Sequence, residues 1–306
     1  MSNKAVLITG ATGFLGSWII ARLIADGQAV VATDLVLDKN RIECLLSPEK
    51  SATVRWQTLD TTDSQALNTL VEEVRPTAII HLAALQIPAC RENPVLAAQV
   101  NIIGHINVFE AAKKYGIERL IYTSSIAAKP RGPDNAPSNL YGVFKKTDEE
   151  IARLYWQDFG ISSLGLRPYI VYGLGRDEGE TSAITKAIQA AALGDAYQMP
   201  FSTESCFQYA GEVAEIFARC INTTWQGALL SDLTTNIDST DQLIAAIHAE
   251  VPDANITPSS NIRVSPTEGF DNSVLKRVIG DWPKTSLDEG VRETLHLFRS
   301  LNENQK

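Results

Sequence analysis

Cysteine, histidine and methionine are scarce in this 306-residue chain, at four, four and two. The cysteines, Cys44, Cys90, Cys206 and Cys220, lie far apart and form neither a CxxC nor a Cys/His ligand spacing. That excludes a zinc site and a disulfide framework, and the thiols read as buried groups in a reducing compartment. Basic charge is also short: 36 acidic residues stand against 27 Lys and Arg, net −9, with no basic run. Such a surface offers nothing to a phosphodiester backbone or an anionic lipid, so nucleic acid is not expected as a partner. Apolar stretches such as Ala78–Ile80 and Ala83–Leu85 fall far short of the ~18 residues of a membrane span. Glycines at 10, 13 and 16 interrupt the apolar start, which therefore reads as a strand and not a leader, and a cytoplasmic location is expected.

What the chain does have is an ordinary globular composition, 44% hydrophobic and 21% charged, with β-branched runs alternating with stretches of helical period. Ala5–Thr9, Ala29–Thr33, Val54–Thr58, Ala78–Leu82, Leu120–Ser124 and Ser162–Arg167 read as buried strands. Phe14–Ala25, Ser64–Val74 and Pro94–Tyr115 read as the helices between them, the first closed by Asp26-Gly27 and the last by Gly116. This alternation predicts an α/β, doubly wound parallel sheet. After Pro168 it weakens into a smaller C-terminal lobe. The expected domains are a nucleotide-binding unit over 1–168, rejoined by about 205–235, and a mainly substrate-binding lobe over 169–306.

The first strand runs directly into Gly10-Ala-Thr-Gly13-Phe-Leu-Gly16 at the start of the first helix. Glycines there permit the sharp turn and the close approach of a pyrophosphate, and the helix amino end supplies free N–H donors. Asp34 ends the second strand, where a carboxylate accepts from both hydroxyls of an adenosine ribose and repels a 2′-phosphate. NAD is therefore expected, with Arg41, close by in sequence, keeping NADP as the lesser alternative. Asp60, after the third strand, sits where an adenine edge is expected, or simply forms a turn.

Ser125 follows the fifth strand, and sixteen residues later comes Tyr141-Gly-Val-Phe-Lys145. On a helix the i,i+4 spacing stacks Tyr141 and Lys145 on one face, and an ammonium beside a phenol favours the phenolate. Tyr141 as general acid/base, Ser125 bonded to the same substrate oxygen and Lys145 behind both suit hydride exchange at a hydroxyl or carbonyl. His81, inside an apolar strand, reads as a satisfied core histidine.

At these residues the chain resembles the extended short-chain dehydrogenase/reductase family, which includes NAD-dependent sugar epimerases and dehydratases. The likeness spans roughly residues 4 to 225 and rests on Thr9–Gly16, Asp60-Thr-Thr-Asp63, His81-Leu-Ala-Ala84, Asn101 with Gly104 and Asn107, Thr123-Ser-Ser125, Tyr141 with Lys145, and Leu166–Gly173. It implies a Rossmann fold and a cofactor lined by Thr12, Phe14, Leu15, Thr61, Leu82, Ala83, Ala84 and Thr123. Asn101 would brace the central helix beside it, and Tyr169 would abut the nicotinamide. It also implies a homodimer built on helices at about Pro94–Tyr115 and Tyr141–Phe159.

Departures from the family pattern narrow the substrate. Ile126-Ala127 follow Ser125 where family dehydratases carry an Asp-Glu pair, which argues against dehydration and against decarboxylation. Ile170 and Ser205-Cys206 stand where nucleotide-sugar epimerases carry an Asn and an Arg for the diphosphate. A smaller sugar or sugar acid is therefore expected, with Gln86, Ser125, Arg176, Thr181 and Ser182 as candidate contacts. The readings left open are a net dehydrogenase, an epimerase that retains its NAD, and a non-catalytic dinucleotide sensor.

Overall fold

The computed structural model describes residues 5–130, 135–233 and 236–304, which divide into two compact units. The first unit comprises residues 1–168, 214–233 and 272–281. Its centre is a seven-stranded parallel sheet of β1 Val6–Thr9, β2 Val30–Asp34, β3 Arg55–Thr58, β4 Ala78–His81, β5 Leu120–Thr123, β6 Ser163–Arg167 and, from far along the chain, β11 Ala228–Asp232. The spatial order is β11-β6-β5-β4-β1-β2-β3, so the direction of winding reverses between β1 and β4. That reversal opens the crevice at which doubly wound sheets bind ligands. β1, β4 and β5 are buried from end to end, the condition under which parallel strands carry continuous apolar sequence.

The connecting helices are α1 Phe14–Ala25, the short α2 Asn40–Glu43 and α3 Pro48–Ser51, α4 Ser64–Val74, α5 Ile87–Glu92, α6 Pro94–Ala98, α7 Gly104–Tyr115 and α8 Leu140–Phe159. α6 and α7 are one helical run joined by a wider π-helical turn, Gln99–Ile103. By length and composition this run is apolar enough to cross a membrane, although no single apolar stretch in the sequence approaches that length. In the fold 44% of it is buried, and Val108, Phe109, Ala111 and Ala112 pack with Leu7, Ile79 and Leu120 of the sheet. The cysteine expectation needs one correction: Cys90, Cys206 and Cys220 are buried, whereas Cys44, which caps the end of α2, is half-buried.

The second unit comprises residues 169–213, 234–271 and 282–306. It contains β7 Ile170–Tyr172, β8 Tyr197–Gln198, β9 Glu204–Ser205, β10 Phe207–Tyr209, β12 Asp238–Ser239 and β13 Ile256–Thr257, paired two by two, with α9 Ala183–Leu193, α11 Thr240–Glu250 and α13 Leu287–Asn304. Ile184, Ala187 and Ile188 of α9, Leu243 and Ile247 of α11, and Val291 and Leu295 of α13 share one core with Ile170 and Phe207. α10 Ala210–Ile221 runs from this unit into the first, which α12 Ser273–Ile279 completes.

Candidate active site

Gly10 leaves β1 at φ +69°, a left-handed conformation, and a Cβ there would lie 2.6 Å from the backbone nitrogen of Ala83. The turn after β1 and the segment after β4 thus touch backbone to backbone, bringing Leu82, Ala83 and Ala84 beside the glycine loop. α1 begins at Phe14 with Gly13 as its cap, so its amino end follows directly on the glycine loop. A helix amino end that follows a glycine turn in this way is a general anion-binding position. Asp34 faces the same loop: Oδ2 accepts from Thr12 N at 3.0 Å and Thr12 Oγ1 at 2.7 Å, and Oδ1 accepts from Leu35 N at 2.8 Å. Arg41 reaches it as well, donating to Thr12 O at 3.4 Å. A glycine cradle, a helix amino end beside it and a carboxylate at the end of β2 are the features a dinucleotide requires, so the residues present fit an NAD-type cofactor.

Other predicted cofactor residues take structural partners. Asp60 forms a turn, Oδ1 accepting from Thr62 N and Oγ1, both at 2.8 Å. Thr61 is buried, and Asn107 ties its carbonyl and that of Thr62 to α7 at 2.9 and 3.1 Å. Asn101, in the π-helical turn, clamps Leu85 from both sides, accepting from its N–H at 2.7 Å and donating to its carbonyl at 3.0 Å. It acts on the segment after β4 as a brace. Gln86 is exposed at the start of α5.

Ser125 caps a single 3₁₀ turn, Ile126–Ala128, with Oγ accepting from Ala127 N at 3.1 Å. Asn139 caps α8 by accepting from Gly142 N at 2.9 Å, which starts the helix one residue before Tyr141. Gly142 is what lets α8 dock on the serine turn: a Cβ at that position would collide with the carbonyl oxygen of Ala127. One turn on, Lys145 is buried, with Nζ 6.0 Å from the Tyr141 ring centre and donating to Thr123 O at 2.8 Å and Asp148 Oδ2 at 3.2 Å. The structure thus brings Ser125, Tyr141 and Lys145 to the carboxyl end of β5.

Glu149, four residues after Lys145, is locked by Arg167 through two bonds of 2.7 Å and accepts from Ser124 Oγ at 2.5 Å; Asp232 adds contacts to Arg167 at 3.6 Å and Lys129 at 2.5 Å. His81 shares a 2.7 Å hydrogen bond between Nδ1 and Thr9 Oγ1, and burial holds it well below the usual histidine range. His105, its rings 5.4 Å from His81 and 4.9 Å from Tyr122, is pushed down to about 3, first by burial and then by the Lys145 charge. Asp148 is pushed up to about 7, burial outweighing the pull of Lys145. Neither His105 nor Asp148 belongs to a motif. The Lys-x-x-Asp spacing on α8 is the sequence signal for the second.

In the second unit Arg176 donates to Thr181 Oγ1 at 2.9 Å, so these two candidates adjoin. Ser182 is buried and its hydroxyl donates to Gly179 O at 2.7 Å, turned toward its own backbone. Tyr169 donates its N–H to Gln208 Oε1 at 2.7 Å and stands 5.7 Å from the Phe270 ring. Ile170 and Cys206 are both buried.

A doubly wound sheet with this loop and this Ser, Tyr and Lys defines an NAD-dependent enzyme of the extended short-chain dehydrogenase/reductase type. The profile of the NAD dependent epimerase/dehydratase family matches residues 6–228, and the chain belongs to that family. It is 28% identical to a UDP-glucose 4-epimerase of Mycolicibacterium smegmatis, over 97% of this chain and 99% of that one. Among solved structures it resembles the NAD complex of Thermus thermophilus UDP-glucose 4-epimerase, at TM-score 0.78 and 25% identity, over 96% of this chain and 99% of that one. In fold it resembles L-threonine dehydrogenase from Clostridium difficile, at TM-score 0.82 and 22% identity, over 97% and 98%.

Proposed function

We propose that the protein moves a hydride between NAD and a hydroxyl-bearing carbon of a sugar or sugar acid that carries no nucleotide. The observation that carries this reading is the buried Lys145, held by Thr123 and Asp148 and 6.0 Å from the Tyr141 ring, with the Ser125 turn docked on the same helix. Tyr141 takes the proton of the substrate hydroxyl, Ser125 donates a hydrogen bond to the same oxygen, and Lys145 favours the phenolate and holds the nicotinamide ribose. When bound, the nicotinamide supplies the hydride acceptor or donor. Asp34 selects the unphosphorylated ribose. Gly10, Thr12, Gly13, Phe14, Leu15 and Gly16 hold the phosphates, and Tyr169 flanks the nicotinamide. The lobe contributes Arg176 and Thr181 to the substrate, and the active form is a homodimer.

The small substrate is supported by what occupies the second unit: Ile170 and Cys206 are buried apolar groups at positions where a diphosphate would need donors. A second reading, epimerisation with retained NAD, is favoured by the name borne by the full-length Mycolicibacterium relative. One experiment tests both. A panel of free sugars, sugar acids and nucleotide sugars is followed by NADH absorbance, and the bound cofactor of the purified protein is assayed. Steady NADH formation from an unphosphorylated sugar or sugar acid supports the first reading. Stoichiometric retained NAD with isomerisation of a nucleotide sugar and no net NADH replaces it with the second. Tyr141→Phe is expected to abolish either turnover with little loss of NAD affinity; near-normal turnover in that variant would remove the tyrosine from the chemistry.

A further inference from the structure

Beside Lys145 lies a titratable group that takes no part in the proton transfer proposed above. Lys145 has three N–H donors, one engaged by Thr123 O and one by Asp148 Oδ2, and the two residues are 3% and 0% exposed. Asp148 lies one turn beyond Lys145 on α8. Its second oxygen, Oδ1, is buried with no hydrogen-bond partner, a state costlier for an ionised carboxylate than for a neutral carboxyl.

Among the described residues, the groups around Asp148 offer no substitute countercharge. α7 presents His105, whose Nε2 is also buried without a partner, and β4 presents His81; burial and the Lys145 charge keep both rings neutral. β5 presents the Tyr122 hydroxyl and the Thr123 carbonyl, and α5 presents the Cys90 thiol. On α8 itself Glu149 is held in two bonds by Arg167, which Asp232 approaches from β11.

We propose that Asp148 is a positioning residue of the catalytic couple: it fixes the Lys145 ammonium between itself and Thr123 and, by holding or releasing its own proton, sets how much positive charge reaches Tyr141. An ionised Asp148 offsets the ammonium and weakens its support of the phenolate. A protonated Asp148 leaves that support whole. Burial places the exchange, with solvent as the source of the proton, near pH 7. The inference rests on Tyr141 being the acid/base of the reaction, and its test is independent of any substrate.

The ionisation of Tyr141 is read as tyrosinate absorbance, taken as the difference between each full-length protein and its Tyr141→Phe counterpart across a pH titration. Asp148→Asn and Asp148→Ser remove the charge and Asp148→Glu keeps it; thermal melting reports which variants are folded. In either neutral variant the phenolate is expected at a pH lower by about one unit, as for removal of a nearby like charge, and Asp148→Glu moves back toward wild type. A folded Asn or Ser variant in which Tyr141 ionises at the wild-type pH overturns the proposal, and stability lost without such a shift reduces Asp148 to a structural residue. Failure of the catalytic reading shows separately, as turnover surviving Tyr141→Phe.

Discussion

Gly142 shows how much of this site rests on single atoms. With a methyl group there, α8 and the serine turn must part, because the Ala127 carbonyl occupies the space. Gly142→Ala is expected to cost about 1–3 kcal/mol of stability, as overpacking does, and to lower turnover far more than that loss alone would explain. Urea unfolding and rate measurement on the same samples separate the two effects. Asp34 makes a different prediction: Asp34→Ala weakens NAD binding more than NADP binding, measured by fluorescence titration with each cofactor, and an unchanged ratio would assign the choice to another side chain. Asp34 and Gly10 were legible because a strand, a glycine turn and a helix follow each other directly in sequence. The roles of Gly142 and Thr12 were not, since each depends on a partner brought near by tertiary packing, Ala127 for one and the Asp34 carboxylate for the other.

At the level of elements, α8 is both the carrier of Tyr141 and Lys145 and a strut across the sheet. Asn139 starts it, Gly160 ends it in a left-handed conformation, and Glu149 fixes its middle to β6 through Arg167. Removing one partner of such a buried pair strands the other. Glu149→Ala is therefore expected to lose about 3–5 kcal/mol, while Lys146→Ala on the open side of the same helix stays within about 0.5 kcal/mol. Chemical denaturation of the two variants checks the contrast. Five of the seven sheet strands were readable within a residue or so because each is a short buried, mainly apolar run between helical stretches. β3, Arg-Trp-Gln-Thr, lies where a strand is expected but is largely exposed and not buried, because it is the edge strand of the sheet. β11, Ala-Leu-Leu-Ser-Asp, escaped because its first three residues are only half-buried and no regular alternation leads into it. The two-residue strands of the second unit are too short to leave any period in the sequence.

For the molecule as a whole, three buried groups set the response to acid. His81 and His105 stay neutral in the fold but gain protons near their ordinary 6.5 when unfolded, so each removes stability as pH falls below 6.5. Asp148 works oppositely: folded it takes its proton near 7 and unfolded near 3.8, so its contribution grows as pH falls and is lost as pH rises through 7. Two against one leaves a net loss of stability as pH falls from 6.5 toward 5, and Asp148→Asn should make that loss steeper. Urea midpoints across this range measure both. The proposed homodimer is tested on the same scale: α8 exposes Leu154 and Phe159, and Leu154→Glu should halve the mass seen by light scattering.

The chain passes between its two units at residues 168, 213, 233, 271 and 281, so neither is a continuous piece of polypeptide. A ribosome that has released residues 1–168 has delivered six strands of the sheet without β11, leaving the β6 edge unpaired, and α12, whose Leu275 N–H bonds to Ser231 on β11, emerges later still. Assembly of the first unit therefore waits for residues up to 281, and a gene cut at residue 168 would yield a sticky fragment in place of a self-sufficient nucleotide-binding module.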